Sequence, residues 1–107
     1  MPQQKQRAPE RKLAKALREL LPKVTLADFE AIMQIARSGH LRHLPVGIIA
    51  WQATTTHIRH VHTDYDALLA DGYDAESARY FVVDDMNEIL ADWGCLRRVS
   101  DEPEQTI

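Results

Sequence analysis

The chain has 107 residues, a formal net charge of −3 at pH 7, 45 % apolar and 27 % charged residues, and a single cysteine. This length is typical of one ordinary domain, which can bury a single core but cannot enclose a substrate between two lobes. No run of about 18 apolar residues could cross a bilayer, no apolar signal segment begins the chain, and Cys95 has no partner for an internal disulfide. The sequence therefore predicts a single-domain cytoplasmic protein without a membrane span.

Charge is divided unevenly along the sequence. Residues 1–23 contain seven Lys or Arg and two Glu, a net charge of +5, whereas residues 64–92 contain nine Asp or Glu and one Arg, a net charge of −8. This division favours either pairing between the two segments or attraction of the basic segment to an acidic partner such as nucleic acid. A solvated basic helix face without any partner would explain the same composition. The candidate phosphate-contacting residues are Arg7, Arg11, Lys12, Lys15, Arg18 and Arg59.

Helical periodicity dominates the sequence, and no segment alternates for long enough to predict a strand. A first helix is predicted from near Pro9 until Pro22 stops it, with leucines along one stripe. A second helix is predicted from Thr25 to Gly39, because Asp28 follows Thr25 in the pattern of a capping box. The connection between these helices is short, so we expect an antiparallel hairpin.

The third helix is predicted from Pro45 to about Val61. Its polar strip is narrow, so we expect this helix to be central and sandwiched by its neighbours. Thr63 followed by Asp66 repeats the capping pattern and predicts a helix break near residues 62–64.

Two further helices are predicted after this break. The first is short, from Asp64 to Ala70, and Thr63 and Asp66 should cap it. The second is long, from Ala75 to Trp93, with an apolar stripe along its length.

The predicted fold is an all-α, single-domain bundle of four to five helices over residues 9–98. A disordered basic segment at residues 1–8 and a disordered tail at residues 99–107 should flank it, and the tail has little to bury. The expected core consists of Leu17, Leu21, Phe29, Met33, Ile48, Trp51, Ile58, Leu68, Leu69, Val82, Met86 and Ile89.

The chemically densest part of the chain lies at the predicted break. The candidate functional cluster there consists of His57, Arg59, His60, His62, Thr63, Asp64, Tyr65 and Asp66. Imidazoles and carboxylates are the ligand types of zinc and iron, and His40 and His43 lie upstream. A metal-dependent hydrolase or nuclease is therefore an alternative function, and it would use His57, His60, His62, Asp64 and Asp66.

Helix geometry weighs against this metal site. On a continuous helix, His57 and His60 lie ~60° apart, but His62 points ~140° or more from both. One ion could bind all three only if the helix breaks, and the spacing matches no established metal motif. We therefore predict no metal and no other cofactor, and we expect some of these histidines to hydrogen-bond to neighbouring carboxylates or helix-end carbonyls.

The run from His57 to Leu69 contains the pattern His-x-His-Thr-x-Tyr-Asp-x-Leu-Leu. With Gly72 and the helix that contains Asp84 and Asp85, it resembles a bacterial and fungal family catalogued as domain of unknown function 2293, over about residues 12–98. The resemblance implies a family but no reaction. Some longer members resemble fusions with a basic, Cys-rich N-terminal segment suggestive of nucleic-acid contact, and this chain lacks that segment.

Binding is predicted rather than catalysis. The basic first helix, with Arg59, Arg37 and Arg42, favours a nucleic-acid-associated module, whereas the apolar helices favour a protein-interaction domain and allow a homodimer. No helix-turn-helix signature, aromatic stacking platform or Gly-rich phosphate loop is present, so reading of specific bases is not expected.

Overall fold

The structure is a computed structural model that describes residues 2–100 and the side chains of residues 10–100. Over this range all regular secondary structure is helical, as predicted, with a single 3₁₀ turn at Gly39–Leu41 and no strand. No helix in this range is long and apolar enough to cross a membrane. The α-helices are α1 (Pro2–Leu20), α2 (Leu26–Ala36), α3 (Val46–Val61), α4 (Tyr65–Ala70), α5 (Ala75–Phe81) and α6 (Val83–Asp92).

The helix α3 is central, as its narrow polar strip predicted. It packs against α1, α2, α4 and α6, more of the described helices than any other helix contacts. Leu17 of α1, Ile32 of α2 and Ile58 of α3 are completely buried where the first three helices meet. Burying such side chains stabilises a fold by roughly 1.5–3 kcal/mol each, so these contacts position the ends of α2 and α3 beside each other.

The predicted long helix from Ala75 to Trp93 is divided in two at Val82, so that prediction was wrong at this position. Val82 has φ −103° and ψ 4°, and its N–H reaches back to the carbonyl of Arg79. Two consecutive β-branched residues, Val82 and Val83, weaken the helix there. The turn lets α5 pack on α4 while α6 packs on α3.

Two residues of the predicted core are exposed. Ile48 is 45 % exposed and Leu69 is 38 % exposed. Trp51 is buried as predicted, but the side chains of α3 that fill the centre also include Ile49 and Ala53. The apolar residues of this helix project to more than one side, so its periodicity does not identify the most buried side.

The ends of the predicted domain differ in detail. The helix α1 begins at Pro2, earlier than the predicted start at Pro9. Near the other end, the backbone N–H of Val99 donates to Asn87 Oδ1 at 2.8 Å, and Asn87 Nδ2 donates to the Val99 carbonyl at 3.1 Å. The remaining predicted tail, residues 101–107, lies outside the described residues, and the disorder predicted for both ends stays a prediction.

Gly94 ends α6 in a left-handed conformation, with φ +78°. The N–H of Cys95 bonds the carbonyl of Leu90 at 2.9 Å and the N–H of Gly94 bonds the carbonyl of Ala91 at 3.0 Å, which is a Schellman motif. A Cβ atom at Gly94 would lie 3.0 Å from Pro22 Cγ, in the connection between α1 and α2. This glycine therefore allows both the turn and the close approach.

We expect Gly94→Ala to lower the free energy of unfolding by about 1–2 kcal/mol, because alanine is strained in the left-handed region. Gly47→Ala is the matched control, since Gly47 lies inside α3 and a Cβ there meets nothing within 4 Å. It should raise the stability by about 0.4–1 kcal/mol. Urea unfolding of both variants measures the difference, and a shift of both midpoints in the same direction would contradict this account.

Candidate functional site

The carboxylate of Asp28 joins the start of α2 to the end of α3. One of its oxygens, Oδ2, accepts the hydroxyl proton of Thr25 at 2.9 Å, and the backbone N–H of Asp28 donates to Thr25 Oγ1 at 3.2 Å. The other oxygen, Oδ1, lies 2.7 Å from His57 Nε2 and 2.9 Å from His62 Nε2. A carboxylate can only accept, so each of these Nε2 atoms donates a proton to it.

The break at the end of α3 brings the two histidines together. The helix ends at Val61, and His62 occupies its C-cap position with φ −111° and ψ 6°. On a continuous helix, the side chain of His62 would point ~140° away from that of His57. Leaving the helix at His62 turns its imidazole back towards α2, so the predicted break is confirmed and has a direct effect on the site.

Trp93 forms the apolar wall of the site. Its indole stacks on the His57 ring, with centroids 6.3 Å apart and an interplanar angle of 22°, and meets the His62 ring edge-on at 5.6 Å and 83°. His57 and Trp93 are buried, whereas His62 and Asp28 are partly exposed. The site is therefore closed by α3 and the end of α6, and it opens towards solvent beside His62.

The pKa of Asp28 reflects two opposing causes. Burial raises it, but the hydrogen bonds from His57, His62 and Thr25, together with the charge of His62, outweigh burial and lower the pKa from 3.8 to about 2. The carboxylate is therefore ionised at neutral pH. Because its folded-state pKa is lowered, its contribution to stability is present above pH 3.8 and is lost as the pH falls towards about 2.

His60 belongs to a second, separate contact. Its Nδ1 lies 2.7 Å from Asp66 Oδ1, and both side chains are largely exposed. The His60 ring also meets the edge of the Tyr65 ring, with centroids 5.5 Å apart. The candidate cluster is thus divided: the structure brings His57 and His62 together, and it places His60 and Asp66 elsewhere.

Thr63 does not cap α4 in the way that we predicted. Its hydroxyl donates to the carbonyl of Arg59 and accepts the N–H of Tyr65 at 3.2 Å, while Asp66 contacts His60 instead of completing a cap. The N-cap residue is Asp64, and its side chain makes no capping hydrogen bond. Thr63 lies one residue before the N-cap, so it closes the end of α3 more than the start of α4. The Arg59 guanidinium lies 5.6 Å above the ring of the buried Tyr65.

The exposed face of α1 forms a second candidate surface, which we define by Arg11, Lys12, Lys15 and Arg18 and call the α1 basic face. The opposite face buries the leucines against α2 and α3. Within residues 10–100, α1 makes one ion pair. It joins Glu10 Oε1 to Arg37 Nε, which lie 2.5 Å apart. Internal pairing of α1 with the acidic segment 64–92 is therefore not observed in this range.

The other predicted phosphate contacts do not extend this face. Arg59 lies beside Tyr65 near the end of α3. The side chain of Arg7 lies outside the described residues. Arg18 belongs to the face and also packs its guanidinium 4.7 Å above the Phe29 ring, so α2 holds it in place.

The sequence interpretation missed Asp28 as a member of the site. The capping pattern correctly identified Thr25 and Asp28 at the start of α2. A cap uses one carboxylate oxygen, and the second oxygen was free to accept from other groups. This second oxygen was the one indication in the sequence that Asp28 could bind further groups. The sequence does not say which donors reach it.

The chain belongs to the family described as an uncharacterized conserved protein, domain of unknown function 2293, which matches residues 16–94. The predicted family is therefore confirmed. The matched range contains Asp28, His57, His62 and Trp93, and so the whole site lies within the family domain. The same comparisons matched no curated protein and no solved structure.

We expect Asp28→Asn to lower the free energy of unfolding at pH 7 by on the order of 2 kcal/mol, because the amide loses the charge that accepts from two imidazoles. Asp66→Asn is the matched control. It removes another carboxylate–histidine contact of 2.7 Å, but an exposed one, and should cost about 0.5 kcal/mol or less.

Urea unfolding with a chelator present measures both variants without interference from metal ions. The difference in free energy of unfolding between the wild type and Asp28→Asn should become smaller as the pH falls from 3.8 towards about 2. An equal loss of stability in Asp28→Asn and Asp66→Asn would contradict the role of Asp28. A stability difference between wild type and Asp28→Asn that does not change with pH would also contradict it.

Proposed function

We propose that this domain is a cytoplasmic binding module that holds the sugar–phosphate backbone of a nucleic acid on the α1 basic face. The observation that supports this proposal is the absence of neutralising partners. Arg11, Lys12 and Lys15 are exposed and make no ion pair within residues 10–100, although the chain carries more acidic than basic residues. Uncompensated charge of one sign on one surface attracts a ligand of the opposite sign.

The geometry of this face suits a polyanion. Arg11, Lys15 and Arg18 are four and three residues apart, so they form one stripe along the helix. The stripe is roughly 10 Å long at a rise of about 1.5 Å per residue. A duplex carries one negative charge per about 1.7 Å of its axis, so a stripe of this length faces several phosphates.

The chemistry of the face favours backbone contacts over base reading. Its four basic groups are ammonium and guanidinium ions, which bind phosphate through charge-assisted hydrogen bonds, and the exposed carboxylate of Glu19 lies beside them. The Phe29 ring is partly buried and covered by Arg18, so it is not available for stacking with a base. Contacts to phosphate position a protein without specifying sequence, so binding should depend on salt and not on base order.

The acidic half of the molecule limits how a nucleic acid can approach. Helices α5 and α6 expose Glu76, Asp84, Asp85 and Glu88, which repel phosphates. A bound strand should therefore lie along α1 and avoid the exposed acidic residues of α5 and α6.

We expect the chain to bind a fluorescent oligonucleotide with an affinity that falls steeply between 50 and 200 mM salt, measured by fluorescence anisotropy. Arg11→Gln/Lys15→Gln should weaken binding and reduce the magnitude of the log–log salt slope by about 1.4 for a single strand or about 1.8 for a duplex.

A charge-matched control separates the face from the total charge. Adding Asp85→Asn and Glu88→Gln to that variant restores the wild-type net charge but leaves the α1 basic face depleted, so binding should stay weak. Recovery of wild-type affinity in this control would show that only total charge matters. That result, or no salt-dependent binding by the wild type, would contradict the proposal.

A further inference from the structure

The geometry points to a binding site for one divalent transition-metal ion of the zinc class, with Asp28 Oδ1, His57 Nε2 and His62 Nε2 as its protein ligands. These three atoms lie within 4.8 Å of one another. The site goes beyond the proposed nucleic-acid contact, because it lies at the junction of α2, α3 and the end of α6 and uses no residue of the α1 basic face.

The ligand set matches the chemistry of such an ion. Two neutral imidazoles and one carboxylate are the donors found in catalytic zinc sites and in non-haem iron(II) sites. Zinc binds histidine nitrogen at about 2.0–2.1 Å and carboxylate oxygen at about 2.0–2.2 Å, so its donors lie roughly 3.3 Å apart. The two observed Oδ1–Nε2 distances, 2.7 and 2.9 Å, are about half an ångström shorter than this spacing, and the two Nε2 atoms lie within 4.8 Å of each other.

The protons balance when an ion binds. In the structure, each Nε2–H group donates a hydrogen bond to Asp28. When the ion replaces these hydrogen bonds, each neutral imidazole moves its proton to Nδ1 through solvent and offers the Nε2 lone pair, with no net release. A histidine that begins as imidazolium releases one proton to solvent. Asp28 already accepts both hydrogen bonds as a carboxylate and needs no deprotonation.

The surrounding groups orient the ligands. The Thr25 hydroxyl holds Oδ2 of Asp28 and leaves Oδ1 directed at the histidines. Trp93 packs against both imidazoles and keeps the buried side apolar. Outer partners of this kind fix the orientation of metal ligands and contribute to affinity.

Three protein ligands leave a position of a tetrahedral zinc ion open. His62 is 29 % exposed and Asp28 is 18 % exposed, so this position faces the solvent side. A water molecule or an anionic ligand can complete the coordination there. The site therefore has the form of an open zinc centre, whereas a purely structural zinc site has four protein ligands.

The test is a calorimetric titration of the full chain, purified without a histidine tag, with ZnCl₂ alone and no nucleic acid present. We expect one equivalent to bind the wild type. His62→Gln should bind at least roughly 10–100-fold more weakly, a loss that even outer partners of a metal produce. His60→Gln is the matched control, because His60 also contacts a carboxylate but lies outside the site, and it should bind as the wild type does.

A second measurement does not depend on the stability of any variant. In ¹⁵N NMR spectra of the wild-type imidazoles, zinc should shift the Nε2 signals of His57 and His62 and leave those of His60 unchanged. Magnesium, which prefers oxygen ligands, should shift none of them. Three results would overturn the proposal. They are absence of zinc binding by the wild type, an equal loss of zinc affinity in His60→Gln and His62→Gln, and a zinc-dependent shift at His60 alone.

Discussion

The carboxylate of Asp28 is the constraint on which the junction of α2, α3 and α6 depends. A partly buried charge is costly unless it is hydrogen-bonded and paired, and this one accepts from a hydroxyl and two imidazoles. His62 reaches it because it leaves the axis of α3, which ends at Val61. The same imidazoles provide the surface on which Trp93 packs. One carboxylate thus links the start of α2 to the end of α3, and its two imidazole partners link both to the end of α6.

Local signals in the sequence predicted most of the helix ends, because caps and glycine stops act over a few residues. Thr25 caps α2, Asp74 caps α5 through the Ser77 N–H, and Gly94 closes α6. The division at Val82 was missed because two valines are a much weaker signal than proline or glycine. The partners of Asp28 were missed because they lie 29 and 34 residues away and meet it only after the hairpin has packed on α3.

The division of charge contributes little to holding the fold together. The ion pair between Glu10 and Arg37 is about half exposed, and exposed pairs contribute about 0–1 kcal/mol. Apolar burial and the Asp28 hydrogen bonds position the helices instead. The exposed charges of α1 and α6 can therefore serve solubility and partner choice without a cost to folding, which is why their arrangement carries information about function.

Trp93 gives the molecule an intrinsic fluorescent probe. Its indole touches both imidazoles of the site, whereas the other tryptophan, Trp51, lies 4.0 Å beneath the guanidinium of Arg97. In a Trp51→Phe variant Trp93 would be the sole tryptophan, so its emission would report on this junction alone and would time any opening of it without an attached dye.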